Sequence, residues 1–232
     1  MLQAVIFDLD DTLYDYKSLD REAGRRVQDL VCKTLNIDEV KYQEAYMRGR
    51  RETKEQLGNT GASHNRILYF QKTLEHLDCK PLPLSLQMYE TYWGTFLTEM
   101  KLYPGVRNVL DRLHERGILV GVCTDLTAHI QHRKLEALGL SQDIDCLVTS
   151  EEAGQEKPAV EIFSLCLKKL GKDPAAVCLV GDSHEKDVMG ALAAGMRAVW
   201  FCPDKKSACR DEGIAYDVVA DYGQLEMLLE DL

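Results

Sequence analysis

Short apolar segments recur along this sequence, and stretches of helical periodicity separate them. The expected strands lie at residues 4–7, 118–123, 146–149, 177–180, 198–201 and 217–219. Most are nearly continuous apolar runs, which is typical of strands covered on both faces. Strands that alternate with helices in this way favour a parallel sheet. The sequence therefore predicts an α/β fold built on a doubly wound parallel sheet.

One long region lacks the strand pattern. From residue 15 to residue 100 the apolar residues recur at helical spacing, as Ala23 and Val27 illustrate. We interpret this region as four helices that form a separate subdomain. The remaining residues, 1–14 and 101–232, are expected to form a Rossmann-like core.

The last of the four helices is expected to begin after two prolines. Pro81 and Pro83 interrupt the helical pattern, because proline lacks a backbone N–H and disfavours helix interiors. We therefore predict a helix from Leu84 to Leu97.

Polar side chains follow several of the predicted strands. Asp8 and Asp10 come directly after the first strand, and their two-residue spacing places them on the same side of an extended chain. Thr124 follows the second strand, Lys157 lies in a loop beyond the third, and Asp182 follows the fourth. Ligands of doubly wound sheets bind beyond the carboxyl ends of the strands. The sequence therefore predicts a functional site at this edge.

The chemistry of these residues suits a phosphate ester. Carboxylates held close together repel each other, so we expect a positive group nearby, and Mg²⁺ prefers carboxylate and phosphate oxygens. Lys157 could neutralise one phosphate oxygen, and Thr124 could donate a hydrogen bond to another. One aspartate could attack phosphorus while a second transfers protons. We therefore expect Mg²⁺ as cofactor and a small phosphorylated metabolite as partner.

The overall composition limits the other partners. The chain has 28 Lys and Arg against 38 Asp and Glu, a net charge of −10, which disfavours nucleic acid and anionic membrane surfaces. No apolar run approaches the roughly 18 residues of a membrane span. The first strand also lacks the features of a secretory signal, so we expect a cytoplasmic protein. The eight cysteines include no Cys-x-x-Cys pair, and we expect neither disulfides nor structural zinc.

Four ordered motifs resemble those of the haloacid dehalogenase-like hydrolases, chiefly the phosphatases of that family. The motifs are Asp8-Leu9-Asp10-Asp11-Thr12, Thr124, Lys157-Pro158 and Gly181-Asp182-Ser183-x-x-x-Asp187. The resemblance spans nearly the whole chain, because residues 15–100 are similar to the small helical cap of the family. It implies a Rossmann-like core with an inserted four-helix cap, and it implies phosphatase activity.

The resemblance also implies a role for each acidic residue of the motifs. Asp8 would be the nucleophile that becomes phosphorylated. Asp10 would be the general acid and base, and its backbone carbonyl would bind Mg²⁺. Asp8 and Asp182 would supply carboxylate ligands to the metal. Asp187 would support the metal through water or through a bond to one of its ligands.

The phosphoryl group would be held by Thr124 and Lys157. Asp125 departs from the family pattern, which often has asparagine at this position, so an acceptor replaces an amide donor. Asp11 fills a variable position and adds a negative charge beside the site.

Several functions are compatible with these residues. The leading prediction is a magnesium-dependent phosphatase that hydrolyses a sugar phosphate or a nucleoside monophosphate. A phosphomutase of the same family would instead return the phosphoryl group to the substrate, and a signalling module would retain phosphate on Asp8 with little turnover. A dehalogenase is disfavoured because Asp10 is present. We expect a monomer or a homodimer.

A basic run in the helical region has two interpretations. The run consists of Arg48, Arg50, Arg51 and Lys54. It is typical of a solvated helix face. The alternative is that one of these arginines, or His64 or Arg66, grips the remote end of the substrate.

Overall fold

The computed structural model describes residues 1–203 and 215–230 of the chain. Each cysteine in these ranges is a free thiol, while Cys209 lies outside them.

The chain divides into two compact units. The core unit comprises Met1–Asp15 and Lys101–Leu232, and the helical unit comprises Tyr16–Met100. In the ranges that the structure describes, no helix has both the length and the apolar character that crossing a bilayer requires.

The core unit is built on a parallel sheet, which has six strands in the described part of the chain. The strands are β1 (Ala4–Phe7), β2 (Leu119–Thr124), β3 (Cys146–Thr149), β4 (Val177–Gly181), β5 (Arg197–Phe201) and β6 (Asp217–Val219). Their order is β3-β2-β1-β4-β5-β6, and every neighbouring pair is parallel. Strands β2 and β3 are thus added in turn on one side of β1, and β4, β5 and β6 are added on the other side. The doubly wound parallel sheet predicted from the sequence is confirmed.

The register of the central strands determines which residues meet at the carboxyl edge. Phe7 of β1 lies beside Val122 of β2 and Val180 of β4. The ladder continues one residue further, because the N–H of Asp8 donates to the carbonyl of Val180 at 2.9 Å. The strand order reverses at β1, so this edge is the topological switch point where such sheets bind ligands.

The backbone of the core unit pairs with itself at the place where the helical unit is inserted. The N–H of Tyr103 donates to the carbonyl of Leu13 at 2.9 Å, and Tyr14 forms an antiparallel bridge with Leu102. The chain segments that leave and re-enter the core unit are therefore joined by main-chain hydrogen bonds.

Residues 16–100, all of which the structure describes, form the helical unit. Its helices are α1 (Tyr16–Leu35), α2 (Glu39–Leu57), α3 (Arg66–His76) and α4 (Leu82–Thr98), with a 3₁₀ turn at Gly61–His64. Tyr92, Trp93 and Phe96 of α4 are buried and their rings pack against one another. These aromatic residues are core residues of the unit.

Helix α4 begins earlier than the sequence analysis predicted. We expected Leu84 as its first residue, but the helix starts at Leu82 and includes Pro83 in its first turn. The first N–H groups of a helix have no intrahelical acceptor, and the fixed φ of proline suits a helix start. Pro83 therefore fits the first turn without the loss of a backbone hydrogen bond.

The basic run of α2 lies largely on a solvated helix face, which was the first of the two interpretations. Arg48 pairs with Glu52 at 3.2 Å and Arg51 with Glu55 at 3.9 Å, both at the i,i+4 spacing of an exposed helix face. Arg50 differs, because it lines a cavity of about 350 Å³ within the helical unit.

Arg66 is buried inside the helical unit and serves its packing. Its guanidinium donates to the hydroxyl of Tyr16 and to the carboxylate of Asp20, the latter at 3.3 Å, and it lies 5.3 Å from the ring centroid of Tyr92. Tyr92 also donates its hydroxyl hydrogen bond to Asp20. Burial raises the pKa of Asp20, but the charge of Arg66 and the hydrogen bond from Tyr92 outweigh burial, and the pKa is lowered overall.

The core unit also contains helices α5 (Val106–Glu115), α6 (Ala128–Ala137), α7 (Ser150–Ala153), α8 (Val160–Leu170), α9 (Gly190–Ala193) and α10 (Tyr222–Glu230). Helices α5 to α9 lie between strands of the core unit, and α10 follows β6. A π-helical turn, His184–Met189, lies between β4 and α9. Such turns are rare in proteins, and those that occur are often found at functional sites.

Candidate active site

One pocket of about 130 Å³ at the carboxyl edge of the sheet contains all the residues predicted to form the site. These residues are Asp8, Asp10, Thr124, Lys157, Asp182 and Asp187. The pocket is completed by Asp125, Ser183 and Lys186. Residues far apart in sequence meet here because β1, β2 and β4 end at the same edge.

Lys157 provides a buried positive charge in this pocket. Its Nζ donates to Asp8 Oδ1 at 2.5 Å, to Asp187 Oδ1 at 2.6 Å and to the carbonyl of Cys123 at 3.1 Å, so all three ammonium hydrogens have acceptors. Burial alone would lower the pKa of Lys157, but the carboxylates of Asp187 and Asp8 outweigh burial and raise the pKa well above its usual value. Lys157 is therefore a permanent cation at neutral pH.

The carboxylate of Asp8 is held from both sides. Its Oδ1 accepts from Lys157, and its Oδ2 accepts from the hydroxyl of Thr12 at 3.1 Å. The hydroxyl oxygen of Thr12 in turn accepts from the N–H of Asp182 at 3.0 Å, which ties the turn after β1 to the end of β4. Burial raises the pKa of Asp8, Lys157 opposes the rise, and the neighbouring carboxylates, of which Asp187 is the strongest, add to it.

Three carboxylates converge in a way that suits a divalent cation. One oxygen each of Asp8, Asp182 and Asp187 lies within 4.8 Å of the other two. Hard carboxylate oxygens are the donors that Mg²⁺ prefers, and Lys157 alone does not balance their charge. The sequence analysis placed Asp187 outside the immediate ligands, whereas the structure brings its carboxylate as close as those of the other two.

Asp187 reaches this position from the π-helical turn after β4. Ser183 caps the turn, because its side chain accepts from the N–H of Lys186 at 3.2 Å. The N–H of Ser183 donates to Asp187 Oδ2 at 2.9 Å, while Asp187 Oδ1 faces Lys157. The carboxylate of Asp187 is therefore fixed by one backbone and one side-chain donor.

The comparison with protein families identifies this arrangement. A sequence model of the haloacid dehalogenase-like hydrolases matches residues 2–195 of the chain. The chain belongs to this family. The family predicted from the sequence is thereby confirmed.

Curated relatives of this hydrolase include phosphatases. It is 41% identical over 213 residues to the ribulose-1,5-bisphosphate 5-phosphatase of Halopiger xanaduensis, a match that covers 89% of this chain and 87% of that protein. It is 31% identical over 236 residues to the glyceraldehyde 3-phosphate phosphatase of Methanothermobacter thermautotrophicus, with coverage of 99% and 100%.

The solved structures give the same fold. The 2-haloacid dehalogenase of Pseudomonas syringae superposes on this hydrolase with a TM-score of 0.77 and 24% identity, and the match covers 100% of this chain and 99% of that one. At this level of identity the likeness concerns the fold alone.

The sequence analysis of this hydrolase missed the residues that hold Asp10. The Nζ of Lys134 lies 2.7 Å and 2.8 Å from the two carboxylate oxygens of Asp10, and the hydroxyl of Tyr14 donates to Asp10 Oδ1 at 2.5 Å. Lys134 stands four residues from both Ile130 and Leu138, which are buried. A lysine on the apolar face of a helix is the signal that could have identified it.

Gln131, also missed, fixes the predicted phosphate-binding threonine. Its side-chain amide donates to Thr124 Oγ1 at 2.6 Å and to the backbone carbonyl of Asp125 at 2.7 Å, and Gln131 is fully buried. The carbonyl can only accept, so the NH₂ group must face this pair. Because the oxygen of Thr124 accepts from Gln131, the hydroxyl acts as a donor, and in this structure it donates to the carbonyl of Asp125 at 3.2 Å.

The departure from the family pattern at Asp125 is compensated locally. Lys186 donates to Asp125 Oδ2 at 2.8 Å and to Glu156 Oε2 at 3.1 Å. Asp125 Oδ1 accepts from the backbone N–H of Lys157 at 3.0 Å. The additional carboxylate is therefore paired with a cation that it shares with Glu156, and it also orders the loop that carries Lys157.

Asp11 has a backbone role in this hydrolase. Its φ of 61° lies in the left-handed region, which aspartate tolerates better than most residues. Asp11 is absent from the pocket lining. Aspartate at this position therefore suits the left-handed backbone of the turn.

Proposed function

We propose that this protein is a magnesium-dependent phosphatase that hydrolyses a small phosphomonoester through an aspartyl phosphate on Asp8. The main support is the buried ammonium of Lys157, which contacts Asp8 and Asp187 in a pocket that Thr124 and Asp182 also line. A fixed carboxylate beside a permanent cation is suited to attack on an anionic phosphoryl group.

The reaction has two steps, formation of the aspartyl phosphate and its hydrolysis. In the first, an oxygen of Asp8 forms a bond to phosphorus, the ester P–O bond breaks, and protonated Asp10 gives its proton to the leaving oxygen. In the second, a water oxygen attacks phosphorus, Asp10 takes a proton from that water, and the bond to Asp8 breaks to release inorganic phosphate. Thr124 and Lys157 bind the phosphoryl oxygens, and Lys157 exchanges one carboxylate contact for a phosphoryl contact.

Magnesium would be held by the carboxylates of Asp8 and Asp182 and by the backbone carbonyl of Asp10, with support from Asp187. The close approach of three carboxylate oxygens supports this assignment. When bound, the ion supplies the positive charge that allows a doubly charged ester to enter an acidic pocket.

The proposed substrates are sugar phosphates first and nucleoside monophosphates second. The order follows from the two phosphatase relatives, whose names specify a sugar bisphosphate and a triose phosphate. We also propose that residues 16–100 serve as the helical cap that selects among these substrates. A cytoplasmic location and a monomeric or homodimeric state remain predictions from the sequence.

Release of inorganic phosphate tests the proposal. The purified protein is incubated with a panel of sugar phosphates, nucleoside monophosphates and p-nitrophenyl phosphate, with Mg²⁺ or with EDTA. We expect phosphate release only with the metal, and no requirement for a bisphosphate activator, which a phosphomutase would need. The absence of release from every ester would contradict the proposal.

Two variants identify the nucleophile in the same assay. Asp8→Asn should lower kcat by about 10⁴-fold or more, because an amide cannot form the phosphoenzyme. Asp11→Asn removes a neighbouring charge but keeps a residue that tolerates the left-handed conformation, and it should remain active. If Asp8→Asn were as active as an active Asp11→Asn variant, Asp8 would be excluded as nucleophile.

A further inference from the structure

Lys134 is a buried cation outside the recognised motifs. Its side chain is 0% exposed, and its ammonium contacts both oxygens of Asp10, whose side chain is 23% exposed. Lys134 belongs to α6, while Asp10 belongs to the turn after β1, so the contact joins two distant parts of the core unit.

Stability alone does not account for a lysine at this position. An ammonium loses its hydration when it is buried, and an apolar side chain in place of a buried ion pair often leaves stability unchanged or raises it. The positions four residues before and after Lys134 are taken by Ile130 of α6 and by Leu138, which caps the helix, and both are buried and apolar. Methionine or leucine would therefore continue this face, and the lysine requires another explanation.

The geometry around Asp10 provides that explanation. Asp10 Oδ1 accepts from both Lys134 and Tyr14, whereas Oδ2 accepts from Lys134 alone. A carboxylate offers about four acceptor sites. Among the described residues three of these sites are used, so the carboxylate is held in one orientation and one site on Oδ2 remains for proton transfer.

We propose that Lys134, assisted by Tyr14, is a positioning residue that orients Asp10 for proton transfer to the leaving oxygen. This inference rests on the proposed phosphatase function. It assigns to α6 the positioning of two site residues, since the neighbouring Gln131 on the same helix orients Thr124. Lys134 keeps its proton throughout and does not need to contact the substrate.

The dependence of rate on the leaving group distinguishes positioning from a structural role. Nitrophenolate leaves without protonation, whereas a sugar alkoxide requires a proton from Asp10. We expect Lys134→Met to lower kcat for the most rapidly hydrolysed sugar phosphate by about 10²-fold, and kcat for p-nitrophenyl phosphate by less than about 10-fold. KM should change little for either ester, because Lys134 does not bind the substrate.

Arg133→Met is the matched control, because it removes a cation from the next position of α6 and should leave both rates unchanged. Tyr14→Phe removes only one hydroxyl, and it should shift the two rates in the same sense as Lys134→Met but by less. This variant provides the test if Lys134→Met does not fold, which thermal unfolding would reveal.

The outcomes are distinct. Equal losses on both esters, or no loss on the sugar phosphate, would overturn the role of Lys134 while leaving the phosphatase proposal intact. No phosphate release by the wild type and by Arg133→Met would overturn the phosphatase proposal itself, and the inference with it.

Discussion

The carboxylate of Asp187 occupies the space that a side chain at Gly181 would need. A Cβ atom at position 181 would lie 2.4 Å from Asp187 Cγ and 2.5 Å from Asp187 Cβ. Real Cβ atoms essentially never approach so closely, so one of the two groups would have to move. The glycine at the end of β4 is therefore required by the acidic residue of the turn that follows.

Gly181→Ala should accordingly displace Asp187 and break its contact with Lys157. We expect kcat/KM for phosphate release to fall by about 10–100-fold, as is usual when a group that orients a metal site is disturbed. Gly94→Ala is a suitable control, since a Cβ there meets nothing within 4 Å and the residue lies inside α4. Full activity of Gly181→Ala would contradict the assigned role of Asp187.

Asp182→Asn should weaken metal binding while the fold is retained. The backbone N–H and carbonyl of Asp182 make the contacts to Thr12 and Trp200, and asparagine preserves both. We expect the Mg²⁺ concentration for half-maximal activity to rise by at least about 10-fold. Glu185→Gln removes a nearby exposed carboxylate that does not line the pocket, and its metal dependence should match that of the wild type. An unchanged metal requirement in Asp182→Asn would exclude this residue as a ligand.

Asp125 and Lys186 should be energetically coupled. Lys186→Met leaves the carboxylates of Asp125 and Glu156 without their shared cation, and we expect kcat/KM to fall about 10-fold. Asp125→Asn keeps the acceptor for the N–H of Lys157, so its loss should be within about 3-fold. The double variant should be more active than Lys186→Met, because asparagine removes the uncompensated charge. Simple multiplication of the two single effects would argue against coupling.

Asp20→Asn should destabilise the protein in a pH-dependent manner. It would deprive the buried guanidinium of Arg66 of its carboxylate, and because the side chain of Asp20 is 38% exposed we expect a loss of only about 1–2 kcal/mol at pH 7. The pKa of Asp20 is lowered in the folded state. Its stabilising contribution is therefore complete above the unfolded pKa of about 3.9 and is lost as pH falls through the lower folded value.

Urea unfolding at several pH values measures this effect. The difference between wild type and Asp20→Asn should be constant near neutrality and should shrink in acid. Asp29→Asn, on the exposed side of the same helix, should change stability by no more than about 0.5 kcal/mol. A difference that grows in acid would contradict the direction of the pKa shift.

The parts of this molecule that could be predicted from sequence are those with local signals. The strands were predicted because buried parallel strands are continuously apolar, and Asp8 and Thr124 were found because they stand where such runs end. The start of α4 was misplaced, since Pro83 carries the same local signal at a helix start as at a break. The π-helical turn around Asp187 has no periodicity that separates it from an ordinary helix.

The residues that orient the site could not be predicted in the same way. Lys134 meets Asp10 across 124 positions of sequence, and Lys186 meets Asp125 across 61. Only the order of strands in the sheet brings such pairs together, and a single sequence does not contain that order explicitly. A lysine within an apolar helical face was the one local indication, and it identifies a buried charge without identifying its partner.

The antiparallel bridge between Tyr14 and Leu102 has a consequence for how such an enzyme can diversify. Since the chain pairs with itself at the point of insertion, residues 15–101 between those two positions form a module on which the pairing of the sheet does not depend. A change in the length or sequence of this module would leave the main-chain hydrogen bonds of the sheet in place. The carboxylates at the carboxyl edge, which belong to the core unit, would keep their positions.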